Sequence, residues 1–189
     1  MPESLPPVID PATFTAPQPT LTGAGDLPLR PWRDDDAPAD HAAFQDPAIR
    51  RWHVRTADSV DQVLGWLPSW RAAWTSGNPQ WAVTCAGELA GRIGLRRTDL
   101  NEGGTELAYW TTPARRGHGI APRAAFLLLR WAFHDIGFER VELTHSVLNP
   151  QSCRVADKCG FALEGTLRGA GRHHDGRHDM HLHARLRTD

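Results

Sequence analysis

The chain has 189 residues, 40% of them hydrophobic, and carries 21 Lys and Arg against 22 Asp and Glu for a formal net charge of -1. That size and balance suit one globular domain with a real core, and they supply no global field for holding nucleic acid or an anionic membrane. Cys85, Cys153 and Cys159 lack C-x-x-C spacing, which argues against a disulfide framework or a structural zinc site, and no basic segment leads into an apolar run, so neither signal peptide nor membrane span is expected and the cytoplasm is the default location.

Eight of the 15 prolines fall within the first 31 residues. Because proline supplies no amide donor, residues 1–25 read as an extended, partly flexible arm ahead of one domain spanning 26–189. Leu27 to Trp32 reads as an edge strand interrupted by prolines. A helix is expected from Asp34 to Phe44, and a second from Val60, where Val63, Leu64, Leu67, Trp70 and Trp74 recur at helical spacing behind an N-cap at Ser59. The run Trp66, Trp70, Trp74 is read as core or subunit packing, with an aromatic wall over a substrate groove as the sharper alternative.

Strands are expected at Gln80–Cys85, Glu88–Arg97 and Thr105–Thr112, joined by a tight Ala86-Gly87 turn and a longer Asp99–Gly104 connection. A long helix follows from Ile120 to Asp135, closed by Gly137, and then a strand from Phe138 to His145. Asn149 to Cys159 reads as a helix stopped by Gly160, ahead of two last strands near Phe161–Arg168 and Arg177–Arg187. The order implies a single-domain mixed α/β sheet without internal repeat.

The segment Tyr109-Trp-Thr-Thr-Pro-Ala-Arg-Arg-Gly-His-Gly-Ile-Ala121 passes from a strand through a glycine- and arginine-rich turn into a helix. Turned backbone amides and the unpaired N–H groups of the helix start make a nest for a phosphate or pyrophosphate, with Arg115 and Arg116 adding charge. Neither a dinucleotide fingerprint nor a Walker A pattern is present. Taken alone, such a turn is equally a plain tight corner.

Arg116-x-x-Gly119-x-Ala121, preceded by Glu106-Leu-Ala-Tyr-Trp110 and followed by Asn149-Pro-Gln-Ser-Cys-Arg-Val-Ala-Asp-Lys-Cys-Gly-Phe161, resembles the GNAT family of acetyl-CoA-dependent N-acetyltransferases, within it the branch of RimJ and RimL. The resemblance covers residues 27–186. It implies a mostly antiparallel mixed sheet whose two central parallel strands splay apart. It also implies coenzyme A pyrophosphate on the amides of Arg116, Gly117, His118, Gly119, Ile120 and Ala121. Pantetheine would lie along Trp110, Thr111 and Thr112, with Asn149 and Ser152 lining the other side of that arm.

Acetyl transfer from a thioester to an amine needs a neutral amine, a site for the developing oxyanion and protonation of the departing thiolate. Glu106 matches the position of a general base in many relatives, acting directly or through water; the bland reading is a salt-bridged strand carboxylate. In a regular strand Glu106, Ala108, Trp110 and Thr112 share one face and Thr105, Leu107, Tyr109 and Thr111 the other. Relatives often place a tyrosine acid seven residues after the asparagine, and Ala156 occupies that station here. Ser152 is then the candidate for the sulfur, and also suits a helix N-cap.

His145, Asp175 and Arg177 are secondary candidates for contact with the acceptor, since the resemblance sets the Asp-Gly-Arg hairpin beside the acceptor site. Five of the ten histidines, His173, His174, His178, His181 and His183, crowd the last segment. Their spacing supports adventitious nickel or zinc binding rather than a dedicated metal centre. The expected partners are acetyl-CoA and a primary amine, either a protein N-terminus or a small molecule, and a homodimer is compatible with the sequence. Competing readings are a longer-chain acyl-CoA transferase using succinyl-CoA for instance, an acyl-CoA hydrolase, and a non-catalytic coenzyme A-binding module.

Overall fold

The computed structural model describes residues 5–23, 25–53 and 55–189. Seven strands form one sheet: β1 (Leu29–Pro31), β2 (Gln80–Cys85), β3 (Glu88–Asp99), β4 (Gly104–Thr111), β5 (Arg140–Ser146), β6 (Ala162–His173) and β7 (Gly176–Leu186), in the order β1-β2-β3-β4-β5-β7-β6. Helices α1 (Ala37–Phe44), α2 (Pro47–Trp52), α3 (Val60–Ala72), α4 (Ile120–Arg130) and α5 (Pro150–Lys158) cover it. No helix among the described residues is long and apolar enough to cross a membrane.

Alternation along the strands gives each sheet face its own core. Ile93, Leu95, Leu107, Val141 and Leu143 pack with Ala124, Ala125, Leu128 and Leu129 of α4 in one cluster. Trp32, Phe44, Val63, Leu67, Trp70, Ala82 and Trp110 form a second, around α1 and α3. Each fully buried leucine or phenylalanine contributes ~1.5–3 kcal/mol. Ser59 caps α3 by accepting from the Gln62 amide at 3.1 Å, as its sequence position suggests. The tryptophans of α3 prove to be packing residues that divide between the cores: Trp70 lies 5.0 Å from the Trp32 ring, whereas Trp74, just beyond the helix, packs beside Phe14, Trp81 and Trp131.

The β2–β3 hairpin turns at Ala86 and Gly87, both with positive φ, the mirror-image turn that matches strand twist. Among the described residues only β4 and β5 run parallel. They pair over three positions, from Gly104 opposite Arg140 to Glu106 opposite Glu142, and then part. The splay therefore opens just past Glu106, between the last five residues of β4 and the last four of β5.

The N-terminal arm departs from expectation. Its residues 1–4 and 24 lie outside the described residues, but Ile9, Phe14 and Leu21 are buried in the α4-side core. The indoles of Trp74 and Trp81 donate to the carbonyls of Ala16 and Pro19 at 2.6 and 2.8 Å, and Leu21 bridges Leu29 of β1. Proline barred the arm from long ladders without preventing its apolar side chains and carbonyls from docking.

Candidate active site

A cleft of about 680 Å3 opens where β4 and β5 splay, and it runs from the turn before α4 to α2 and the β6–β7 hairpin. At one end Gly117 and Gly119 take left-handed φ of 79° and 71°, with open space where a side chain would begin. Helix α4 cannot satisfy the amides of its first residues, Ile120 and Ala121, and those of Gly117, His118 and Gly119 find no acceptor at normal geometry among the described residues. Converging unpaired amides at the positive end of a helix dipole are what a pyrophosphate requires. Coenzyme A therefore fits the residues present.

The two arginines of the turn hold other partners. Arg115 pairs with Glu88 at 2.9 Å, and Arg116 with Asp46 at 2.5 Å. Asp46 also accepts from the Ile49 amide as the N-cap of α2, so Arg116 ties the nest to that helix, and this hydrogen bond lowers the Asp46 pKa. Backbone amides, more than free guanidinium charge, carry the anion site. His118 and Thr112 do not line the cleft: His118 Nδ1 meets the Arg116 carbonyl, and Thr112 bonds to Ala90 of β3. Trp110, Thr111, Asn149 and Ser152 do line it.

Asn149 accepts from the Ser152 amide at 3.2 Å and so caps α5. Tyr109, on the β4 face opposite Glu106, donates its hydroxyl proton to Ser152 Oγ at 3.1 Å. Burial pushes the Tyr109 phenol up to about 12, which keeps it a donor at neutral pH. Ala156 is fully buried at the station where a tyrosine was sought; the chain's one tyrosine reaches Ser152 from the strand instead.

Glu106 is 2% exposed and does not line the cleft. It is clamped by Arg96 at 2.6 Å and Arg97 at 3.1 Å and accepts from the Thr144 hydroxyl. Thr144 and Ser146, two hydroxyl residues of β5, line the cleft. Behind Ser146 stands a second proton acceptor: Ser146 Oγ lies 2.9 Å from His178 Nδ1, and His178 Nε2 lies 2.9 Å from Asp175. With Asp175 holding the proton on Nε2, Nδ1 is left to accept from the serine.

The acceptor half is cationic. Arg92, Arg96, Arg97 and Arg172 line it with Trp52, His53 and His173, and no Asp or Glu among the described residues lines any part of the cleft. Arg92 makes no hydrogen bond or ion pair among the described residues, and its guanidinium lies 5.1 Å over the Trp70 ring. Burial pushes its pKa down to about 10 against the pull of Asp40. Burial beside Arg92 and Arg96 likewise pushes His53 down to about 3, so that ring is neutral.

A GNAT acetyltransferase domain matches residues 26–162. The chain belongs to the GNAT acetyltransferase family. It is 31% identical over 125 residues, 64% of its length, to YdaF of Bacillus subtilis, whose name assigns it provisionally to ribosomal N-acetylation, and covers 67% of that relative. It is 33% identical to the ribosomal-protein-serine acetyltransferase of Escherichia coli over 52% of this chain and 55% of that one. The solved structure of RimL, the ribosomal L7/L12 alpha-N-protein acetyltransferase, in complex with coenzyme A superposes with a TM-score of 0.83 at 19% identity, covering 89% of this chain and 98% of that one. This GNAT chain is thus an N-acetyltransferase of the RimJ/RimL-like group.

Of the acceptor contacts expected in this GNAT enzyme, His145 lines the cleft. Asp175 and Arg177 do not. Asp175 backs His178, and Arg177 donates to the Gly169 carbonyl across the β6–β7 hairpin. The hairpin instead presents Leu167, Gly171, Arg172 and His173 to the cleft. Helix α2, with Trp52 and His53, has no counterpart in the sequence reading, because six residues are too few to show a helical period. Its one local signal was Asp46-Pro47, an N-cap followed by proline at the first helical position.

Proposed function

We propose that this protein transfers the acetyl group of acetyl-CoA directly to a primary amine that carries an anionic group nearby, an acidic protein N-terminus or a small amino acid-like molecule. The observation that carries this reading is the cleft itself. An amide nest suited to pyrophosphate closes one end, and a carboxylate-free, arginine-lined chamber closes the other. A polyamine or a basic peptide would meet repulsion there, whereas an anion would partner Arg92.

When bound, acetyl-CoA supplies the activated acyl group and a thiolate leaving group. Ser152 lies beside the pantetheine path. Because Tyr109 donates to its oxygen, the Ser152 proton is free to hydrogen-bond the departing sulfur. Two routes lead the amine proton out of the cleft, through Thr144 to Glu106 and through Ser146 to His178. By reference values an imidazole is closer to an α-amine in proton affinity than a carboxylate is, and the Glu106 oxygens are already engaged by Arg96, Arg97 and Thr144. His178 backed by Asp175 is therefore the better matched acceptor, and Glu106 serves chiefly to hold Arg96 and Arg97 at the chamber wall. The general-base role expected of Glu106 remains the competing assignment.

Thiol release from acetyl-CoA, followed with and without an amine panel and repeated with succinyl-CoA, tests the function. Amine-dependent release with acetylated product is expected. Release without amine would make the protein a hydrolase, a preference for succinyl-CoA would change the acyl group, and binding without turnover would leave a coenzyme A-binding module.

A further inference from the structure

The crowded histidines of the last segment separate into two groups once folded. His173 and His178 stack on each other, 4.3 Å between centroids, beside Trp52. His181 and His183 turn to the opposite face of β7. There β7 pairs antiparallel with β5, placing His181 opposite His145 and His183 opposite Leu143. Helix α5 packs over this patch and brings Cys153 down onto it. One ligand atom from each of His145, Cys153, His181 and His183 lies within 4.8 Å of all the others.

We propose that these four side chains form a metal site for zinc. The donor set is three imidazoles and one thiolate with no carboxylate, the borderline-soft combination that suits a tetrahedral d10 ion. The Nε2 atoms of His145 and His183 stand 3.2 Å apart. Metal–nitrogen bonds of about 2.0–2.1 Å in a tetrahedron set two nitrogens about 3.4 Å apart, so this pair already has the required bite. His145 Nδ1 lies 2.9 Å from the Ser146 carbonyl. That contact fixes the proton on Nδ1 and leaves the Nε2 lone pair facing the cluster, the usual outer arrangement of a ligating histidine. The Nδ1 atoms of His181 and His183 are buried without a partner among the described residues.

Four protein ligands close the coordination sphere, so the ion is structural: it leaves no open position for a substrate or water. Its effect is positional. Cys153 directly follows Ser152, and Asn149 caps the same helix, so the metal would pin the start of α5, with the residues that line the thioester end of the cleft, onto β5 and β7. The sequence could not show this site, because its ligands come from three elements and meet only through the β5–β7 register.

The test uses the untagged full chain, since a histidine tag would add ligands of its own. Protein grown with zinc and freed of loose metal should retain one zinc per chain by elemental mass spectrometry. After chelation, cobalt should restore a tetrahedral visible spectrum and a thiolate-to-cobalt charge-transfer band. Cys153→Ser, nearly the same shape, should abolish that band and weaken zinc binding at least about tenfold, with chelation lowering Tm in the wild type but not in the variant. A control altered at His173 and His174 should bind zinc and cobalt as the wild type does. Substoichiometric zinc, a cobalt spectrum indifferent to Cys153→Ser, or metal lost with His173 and His174 would each overturn the proposal.

Discussion

Ser152 and its partner Tyr109 show how one side chain's role depends on another element. The serine was legible as an N-cap and a sulfur contact, but the tyrosine was assigned to the far side of the strand from Glu106 and given no role. It does lie on that face, and that face is where α5 packs, so the phenol meets Ser152. Ser152→Ala is expected to lower kcat about 10- to 100-fold, the loss of one charge-assisted hydrogen bond, with little change in acetyl-CoA affinity. The proton path divides Glu106 from His178. His178→Gln is expected to lower kcat about 100-fold or more and to remove the limb of the pH profile that reports the base, while Glu106→Gln leaves that limb in place; the opposite pattern would return the base to Glu106.

Asp40 offers a separate test at the same scale. It is fully buried, neither carboxylate oxygen has a hydrogen-bond partner among the described residues, and burial raises its pKa to about 7, opposed by Arg92 on β3 and aided by Asp36. The folded state thus holds a proton that the unfolded chain releases near the ordinary value of 3.8. Asp40's contribution to stability is then highest below that value, falls as pH rises toward about 7, and is flat beyond, a loss on the order of a few kcal/mol, while the neutral His53, with its pKa pushed down to about 3, contributes in the opposite sense over the same range. Denaturation midpoints measured across this range should rise more with pH, or fall less, for Asp40→Asn than for the wild type, since the variant lacks Asp40's falling contribution and keeps that of His53; equal slopes would contradict the assignment.

At the scale of elements, the chain was legible wherever a period or a punctuation mark was long enough to see. The strands from Gln80 to Thr111 and the cap at Asn149 appear close to their expected bounds, and the helix from Ile120 reaches Gly137 by passing from α4 into a π turn at Trp131–Ile136. Three things were hidden. Helix α2 is too short for a period; the strand-face neighbours Arg96 and Glu106 meet through register alone; and the N-terminal arm has no pattern, although Phe14 is completely buried against Trp74. Composition had marked that arm as loose because proline excludes regular ladders, yet docking needs only a few apolar anchors. Phe14→Ala should therefore cost ~3–5 kcal/mol in chemical denaturation, as for a core aromatic, where a loose arm would show almost no change.

For the whole molecule, near-neutral net charge concealed a strongly one-sided interior. The donor end could be read from one contiguous turn, but the acceptor chamber draws on β3, α2 and β6, so its four arginines, Arg92, Arg96, Arg97 and Arg172, with no carboxylate beside them among the described residues, come together only on folding. That asymmetry is the ground for an acceptor with an anion beside its amine. The most direct measurement is the initial rate of acetylated-peptide formation from acetyl-CoA, with matched peptides whose α-amine is followed by acidic or by basic residues, both substrates being varied. The expected result is intersecting rate lines, as for direct transfer within a ternary complex, and a markedly higher kcat/KM for the acidic peptide that shrinks with added salt. Parallel lines, or equal or better use of the basic peptide, would contradict it.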